Sequence, residues 1–494
     1  MKPRTFWLAL SVTALIGLAL RVYVGSRTFI DSDEWQHLFI AASPRWADLS
    51  YELRTNAHPP LFFLLLKPFV TSGHVLLYRF ISIASGVGSI VMVGLIARRV
   101  IASPILQLLC ATAFALSTDA IAISVEVRSY QLMIFFVLVA FWALLEELPA
   151  VFCVFATLAV VTHYSAIFFL GAAILTMLRR KNVLAFAIPV AVFTVEYFVH
   201  ADKQSIQGYL YSFYSYGNPA ESHLAFLARN AHNFLNLFSP VELRSEAIAL
   251  VAIALLLAAT IWGMWKRSNR AVLLALVMVA ELAFAGFANK YPFGGLLRHQ
   301  YIAGPFLLIS AFSVVDTLVP WRNAIAGVLL LAAVGGVIAN GPKLIQYPEL
   351  HLWRDEFNAW QSAFPNAKAV YLDHWGAIGY FVNTSEQPRV FLQTVPDKAA
   401  GIDEYTAGPT KIFYDKSRPI LDLADPSVYR SFAACLRESG VGEIGLFFFF
   451  PGPAPHLTPE ELANMVTQHA AAQGLVTRKI ATSPTTVFAS FAIQ

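Results

Sequence analysis

Charge is scarce in this sequence and cysteine scarcer. Acidic and basic residues together make up 13% of 494 positions, where a water-soluble domain carries about 25%. That shortage excludes an ordinary soluble fold for most of the chain. Three cysteines, two inside apolar runs (Cys110, Cys153) and one isolated (Cys435), give neither a disulfide framework nor a thiolate metal site. The formal net charge of +4 sits at the ends of apolar runs, so there is no basic surface for nucleic acid. No small-residue cleavage site follows the first apolar run, which favours a retained helix over a removed signal peptide. Nor is there an internal repeat, which weighs against the paired halves of many transporters.

What the chain has is apolar length. It is 57% hydrophobic with a mean hydropathy of +0.59. Runs at 6–24, 76–97, 101–117, 130–145, 151–161, 164–178, 183–199, 247–265, 271–288, 302–319 and 324–339 predict a polytopic α-helical membrane protein with about eleven spanning helices. Segment 151–178 reads as one tilted helix or as two short ones broken at Thr162-His163-Tyr164. Two helices keep Arg179, Arg180 and Lys181 on the same face as Lys2, Arg4, Arg98, Arg99, Lys266, Arg267, Arg270 and Arg322. By the positive-inside rule that face is the cytoplasm, which predicts an inner-membrane protein with a cytoplasmic N-terminus.

Residues 25–75, 200–246 and everything after 340 are then expected outside. The apolar stretch 61–70 is too short to span and predicts an interfacial helix. Beyond a membrane domain over 1–340, aromatic and β-branched runs at 369–372, 411–414 and 444–450 predict a C-terminal extracytoplasmic α/β domain over 341–494. Within it Thr458-Pro459-Glu460-Glu461 has the pattern of a capping box opening a helix to about Ala472.

Chemistry is expected on the outward face. Asp31, Asp33 and Glu34 place three carboxylates in four residues, a cluster that repels itself unless a metal, a cation or a moving proton uses it. The same residues also suit the positive N-terminal end of a helix running through Ala41. Asn56-Ala57-His58-Pro59-Pro60-Leu61 opens the interfacial segment, Glu126-Val127-Arg128-Ser129-Tyr130 lies at one helix mouth, and Arg298-His299-Gln300-Tyr301 lies at another. A single arginine there is a snorkelling anchor. Together with His58 and His163 these cations suit an anionic lipid headgroup. No cofactor is called for. A divalent metal stays open, with Asp31, Glu34, His200, His223 and His232 as its ligand types.

Taken in order, the Asp-Glu pair of the first outward loop, His-Pro-Pro-Leu, Glu-x-Arg-x-Tyr, Thr-His-Tyr and Arg-x-x-Tyr-x-x-x-Pro resemble the C-type glycosyltransferase (GT-C) superfamily. The nearest branches are bacterial enzymes similar to protein O-mannosyltransferases and the aminoarabinose transferases of lipid A. The resemblance covers residues 1–319. It implies inverting transfer of a sugar from a polyprenyl-phosphate donor to a lipid, glycan or protein acceptor on the extracytoplasmic side, among membrane lipids. Carried over residue by residue, Asp33 is the catalytic base and Glu34 its acidic neighbour. Arg128, His58, Arg298, His163 and Tyr301 face the donor phosphate, and Asp31, Glu126, Tyr130 and Tyr164 line the substrate pocket.

Two departures stand out. Ala57 occupies the place where aminoarabinose transferases often carry an acidic metal ligand, and 200–246 is too short for the inserted domain of eukaryotic O-mannosyltransferases. The rival reading is a transporter or flippase for a lipid-linked or polar solute, which intramembrane charges would also serve. Clustering of the charged motifs on one face favours surface chemistry.

Overall fold

A computed structural model describes residues 3–28, 30–43, 58–201, 222–238, 270–288, 290–317, 321–345, 357–365, 368–373, 402–407, 410–415, 425–447, 458–482 and 487–493, with single positions between them. The expected span 247–265, most of 200–246, Asn56, Ala57 and the His223 side chain lie outside the described residues. The chain divides into two compact units. One comprises Met1–Thr28, Asn56–Leu65 and His74–Gln346, and the other Phe29–Thr55, Leu66–Gly73 and Tyr347–Gln494.

The first unit is helical: α1 (Pro3–Arg27), α2 (Phe80–Val100), α3 (Pro104–Leu116), α4 (Thr118–Val125), α5 (Tyr130–Leu145), α6 (Pro149–Val160), α7 (Ala166–Met177), α8 (Val183–Val199), α9 (Arg270–Phe287), α10 (Gly304–Val315) and α11 (Arg322–Asn340). Among the described residues five of these helices, α1, α2, α8, α9 and α11, are long and apolar enough to cross a membrane. The pair α3 and α4, bent by 52°, brings the number to six. Proline opens α3 and α6, where its missing N–H costs nothing.

The expectation of two helices within 151–178 holds, as α6 and α7. The expected run 101–117 is corrected: the chain continues as α4. Ser117 breaks the first helix and caps the second, its hydroxyl accepting from the Ala120 amide. The polar Ser117 and Asp119 lower the local hydropathy without ending the helical path.

Packing inside this unit depends on polar ties as well as apolar fit, since lipid offers little hydrophobic drive between helices. Gln131 of α5 donates to Ser89 of α2 at 2.9 Å, and Ser124 of α4 donates to Gln131 at 3.3 Å. The buried Arg79 side chain donates to the Gly25 and Thr28 carbonyls at 2.6 and 2.8 Å, satisfying acceptors at the C-terminal end of α1.

Asp316, fully buried after α10, accepts from the Ala102 and Ser103 amides at 2.7 and 3.3 Å and so caps the start of α3. α10 ends at Val315, with Asp316 as its C-cap, short of the expected 319. Asp316→Ala should lower stability in detergent by about 3 kcal/mol, because two amides lose a charged acceptor. Chemical unfolding of Asp316→Ala and of Asp316→Asn, which keeps one acceptor oxygen, checks this; equal stability of Asp316→Ala and the native chain would contradict it.

The second unit holds a six-stranded sheet: β1 (Ala369–Leu372), β2 (Ile402–Ala407), β3 (Thr410–Asp415), β4 (Ile444–Phe447), β5 (Leu475–Thr482) and β6 (Val487–Ile493), in the order β2-β3-β1-β4-β6-β5. β1 runs parallel to β3 and β4, and the outer pairings are antiparallel. The helix Pro459–Ala472 opens with the expected box, Thr458 and Glu461 bonding reciprocally. Tyr429, Phe432 and Phe491 form an aromatic core with Tyr371. The helix Ser32–Ala42 belongs to this unit, where the Phe39 ring meets the Tyr414 ring edge-on at 5.8 Å.

Candidate active site

The acidic segment forms the start of a helix. Asp31 is the N-cap of Ser32–Ala42; its carboxylate accepts from the Glu34 amide at 2.7 Å, and its own amide donates to Glu34 Oε2 at 2.9 Å. This reciprocal box explains the placement of Asp31 and Glu34 by helix capping alone. Glu34 is buried, Asp33 half-buried. Of the three carboxylates, Asp33 is the one outside the box. His37 Nδ1 donates to the Asp33 carbonyl at 2.7 Å, which puts the proton on that ring nitrogen.

In the first unit a second cluster forms around the turn between α4 and α5. The Arg128 carbonyl accepts from Ser82 Oγ at 3.3 Å, fixing the turn against α2. The Arg128 guanidinium lies 5.3 Å from the Tyr130 ring centroid, within cation–π range. His58 Nδ1 pairs with Ser129 Oγ at 3.2 Å. Its ring is 4.7 Å from that of His163 and 5.5 Å from that of Tyr130, and Tyr130 and His163 are 4.5 Å apart. The paired prolines bring His58 here; just after them, the Leu61 amide donates to the Val161 carbonyl at 3.3 Å. The segment is thereby tied to the turn between α6 and α7 that carries His163.

His163 Nδ1 accepts from the Ser165 amide at 3.0 Å, so the neutral ring carries its proton on Nε2. Burial first, and the Arg128 charge second, hold its pKa below the ordinary histidine range. An unfolded chain takes up this proton near the ordinary pKa of about 6.5 and the folded chain does not. Stability should therefore be full above that pH and fall as pH drops below it. His163→Gln should flatten the dependence in detergent unfolding between pH 7.5 and 5.5, and an unchanged slope would remove His163 as its source.

Four expected residues are thus brought together: His58, Arg128, Tyr130 and His163. Tyr164 turns to α8, its hydroxyl bonding His200 Nδ1. Glu126 is half-buried at the end of α4. Arg298 lies on the short helix Leu297–Gln300, and the buried Tyr301 follows it. Sequence reasoning missed Ser129 and Ser165, the hydroxyl residues that orient the two imidazoles. Their only signal was adjacency to the motifs. Among the described residues no three His, Cys, Asp or Glu side chains gather as a metal site.

No protein-family model and no curated protein matches the chain. Among solved structures, ArnT from Cupriavidus metallidurans in the apo state aligns with a TM-score of 0.55 at 11% identity, over 99% of this chain and 98% of that one. This chain has the ArnT fold. A second ArnT structure from the same organism, bound to undecaprenyl phosphate, aligns with a TM-score of 0.46 at 13% identity, over 73% of this chain and 69% of that one. The ArnT fold agrees with the GT-C resemblance carried by the motifs, and with its apolar helices the chain is a multi-pass membrane protein.

Proposed function

We propose that this chain is an inverting glycosyltransferase that moves a sugar from a polyprenyl-phosphate donor to an acceptor hydroxyl on the extracytoplasmic side of the inner membrane. The observation that carries this reading is the buried Arg128, stacked on Tyr130 and grouped with two imidazoles, in a chain of ArnT fold. A permanent cation with directional donors beside it suits a phosphate that keeps its charge on leaving.

In the reaction the acceptor oxygen attacks the anomeric carbon as the bond from that carbon to the phosphate oxygen breaks on the opposite face. Asp33 takes the acceptor proton, and Arg128 with His58 stabilises the departing phosphate. Neutral His163 offers Nε2–H as a further donor. Arg298 and Tyr301 are secondary candidates on the phosphate, and Asp31, Glu34, Glu126 and Tyr164 help shape the surroundings. In this reading the chain has about eleven spans, a cytoplasmic N-terminus, a membrane domain over 1–340 and an extracytoplasmic domain over 341–494.

The test has two arms. Membranes containing the chain are incubated with labelled polyprenyl-phosphate sugars, and envelope glycans of a strain with and without the chain are compared by mass spectrometry. Transfer of label, with loss of one glycan substituent from the deleted strain, is expected. Identical glycan profiles and no transfer from any donor would overturn the proposal.

A further inference from the structure

Every residue from Glu34 to Ser43 is buried, so the helix Ser32–Ala42 is enclosed on all sides beyond its first turn. A helix lying on a membrane surface would leave one face open. Both ends are fixed as well. The Asp31–Glu34 box closes the first turn. Lys67 Nζ donates to the Ser43 carbonyl just past the last turn, a cation where helix carbonyls lack partners. Asp33, half-buried in the first turn, is presented at the end of a rigid post.

The strand pattern of the second unit shows what the helix packs on. β1 is buried at all four positions, so both faces of the sheet are covered there. Side chains alternate between the faces. Ala369, Tyr371 and Phe413 belong to the aromatic core with Tyr429 and Phe432. Val370 and Leu372, with their register partners Ile412 and Tyr414, point the other way and are at most 1% exposed. Gly445 of β4 also pairs with Val370, and a Cβ there would stand 3.8 Å from Trp360 Cζ2. Farther across this second face, on β3, Tyr414 takes the Phe39 ring edge-on at 5.8 Å. The sheet is therefore covered on one face in part by the helix that carries Asp33, and the two share one compact unit.

We propose that the C-terminal sheet is a positioning element for sugar transfer: Tyr414, through its contact with Phe39, holds the helix that presents Asp33 and acts on the reaction without touching substrate. This rests on Asp33 as the base and gives the tail a role in the same reaction. Misplacing a reacting group by about 1 Å can cost about 10²-fold in rate. Arg128 and His58 belong to the first unit, so loosening the helix should lower kcat and leave the donor KM in place.

The full-length chain is compared with Tyr414→Leu, Phe39→Leu and Tyr414→Phe, the first of these also combined with Asp33→Asn. Leucine keeps an apolar side chain in place and removes the ring, whereas phenylalanine keeps the ring. Both leucine variants should lower kcat about tenfold with the donor KM unchanged, and Tyr414→Phe should keep the native kcat. Amide exchange across residues 34–43 should quicken about tenfold in Tyr414→Leu. In the Asp33→Asn background Tyr414→Leu should cost nothing further, whereas loss of folded protein would cost the same factor in both backgrounds. Phe39→Leu carries the test if Tyr414→Leu does not fold. Native kcat in both leucine variants while Asp33→Asn is inactive, equal losses in both backgrounds, or unchanged exchange overturns the inference and leaves Asp33 as the base. Full activity in Asp33→Asn alone removes the base, and the positioning role with it, an outcome distinct from the others.

Discussion

Asp33→Asn should lower sugar transfer by about 10²–10⁴-fold, the range set by loss of a positioned general base, while leaving the protein folded. Asp33 lies in the first turn of Ser32–Ala42 but outside the Asp31–Glu34 box, so the substitution leaves both capping bonds in place. Glu34→Gln is the informative companion. Glutamine can still accept the Asp31 amide, so the cap survives and activity should fall far less than in Asp33→Asn. Asp31→Ala removes the cap and should cost about 1 kcal/mol of stability. Initial rates with a labelled polyprenyl-phosphate sugar, beside unfolding curves for each variant, separate the roles. Full activity in Asp33→Asn removes it as the base, and equal losses in Asp33→Asn and Glu34→Gln would make the pair act as one unit.

Arg128→Met should lower kcat/KM for the donor by about 10²–10³-fold, the loss associated with removing one preorganised donor from a site where charge develops. Arg128→Lys should recover only part of it, because a lysine keeps the charge and loses the planar fork and the ring contact with Tyr130. The loss should appear in kcat as well as KM, since the charge on the departing oxygen grows towards the transition state. A rise in KM alone would make Arg128 a ground-state binding residue. The Arg128 carbonyl bond to Ser82 uses the backbone and is retained in both variants, so the turn should hold.

Much of the helical architecture was legible before any coordinates. The expected runs 130–145 and 183–199 coincide with α5 and α8, because polar residues bracket stretches that are apolar at most positions. The run 101–117 was too short for the opposite reason: Ser117 and Asp119 interrupt the hydropathy where the helix only bends. In the second unit the strands read from sequence, β1, β3 and β4, are the three parallel ones. Strands buried on both faces carry continuous apolar runs, whereas β2 and β5 are edge strands with polar residues and gave no such signal.

The candidate site was legible as a set of residue types and not as a set of partnerships. His58, Arg128, Tyr130 and His163 are far apart in sequence, and their motifs named them without saying which would touch. Arg21 was visible as a charge inside an apolar run and was passed over, since an arginine near a helix end is usually an anchor at the interface. Its complete burial depends on α2 and α3 packing against it.

Hydropathy and capping are properties of neighbouring residues, so the amino-acid order alone determined that the chain is a multi-pass membrane protein, where most helices lie, and that Thr458 opens one of them. Hydrogen-bond partners and burial depend on segments that only packing brings together. Tertiary structure therefore decided that Tyr164 faces His200, that Ser165 holds His163 in one neutral form, and that Arg21 is enclosed between helices.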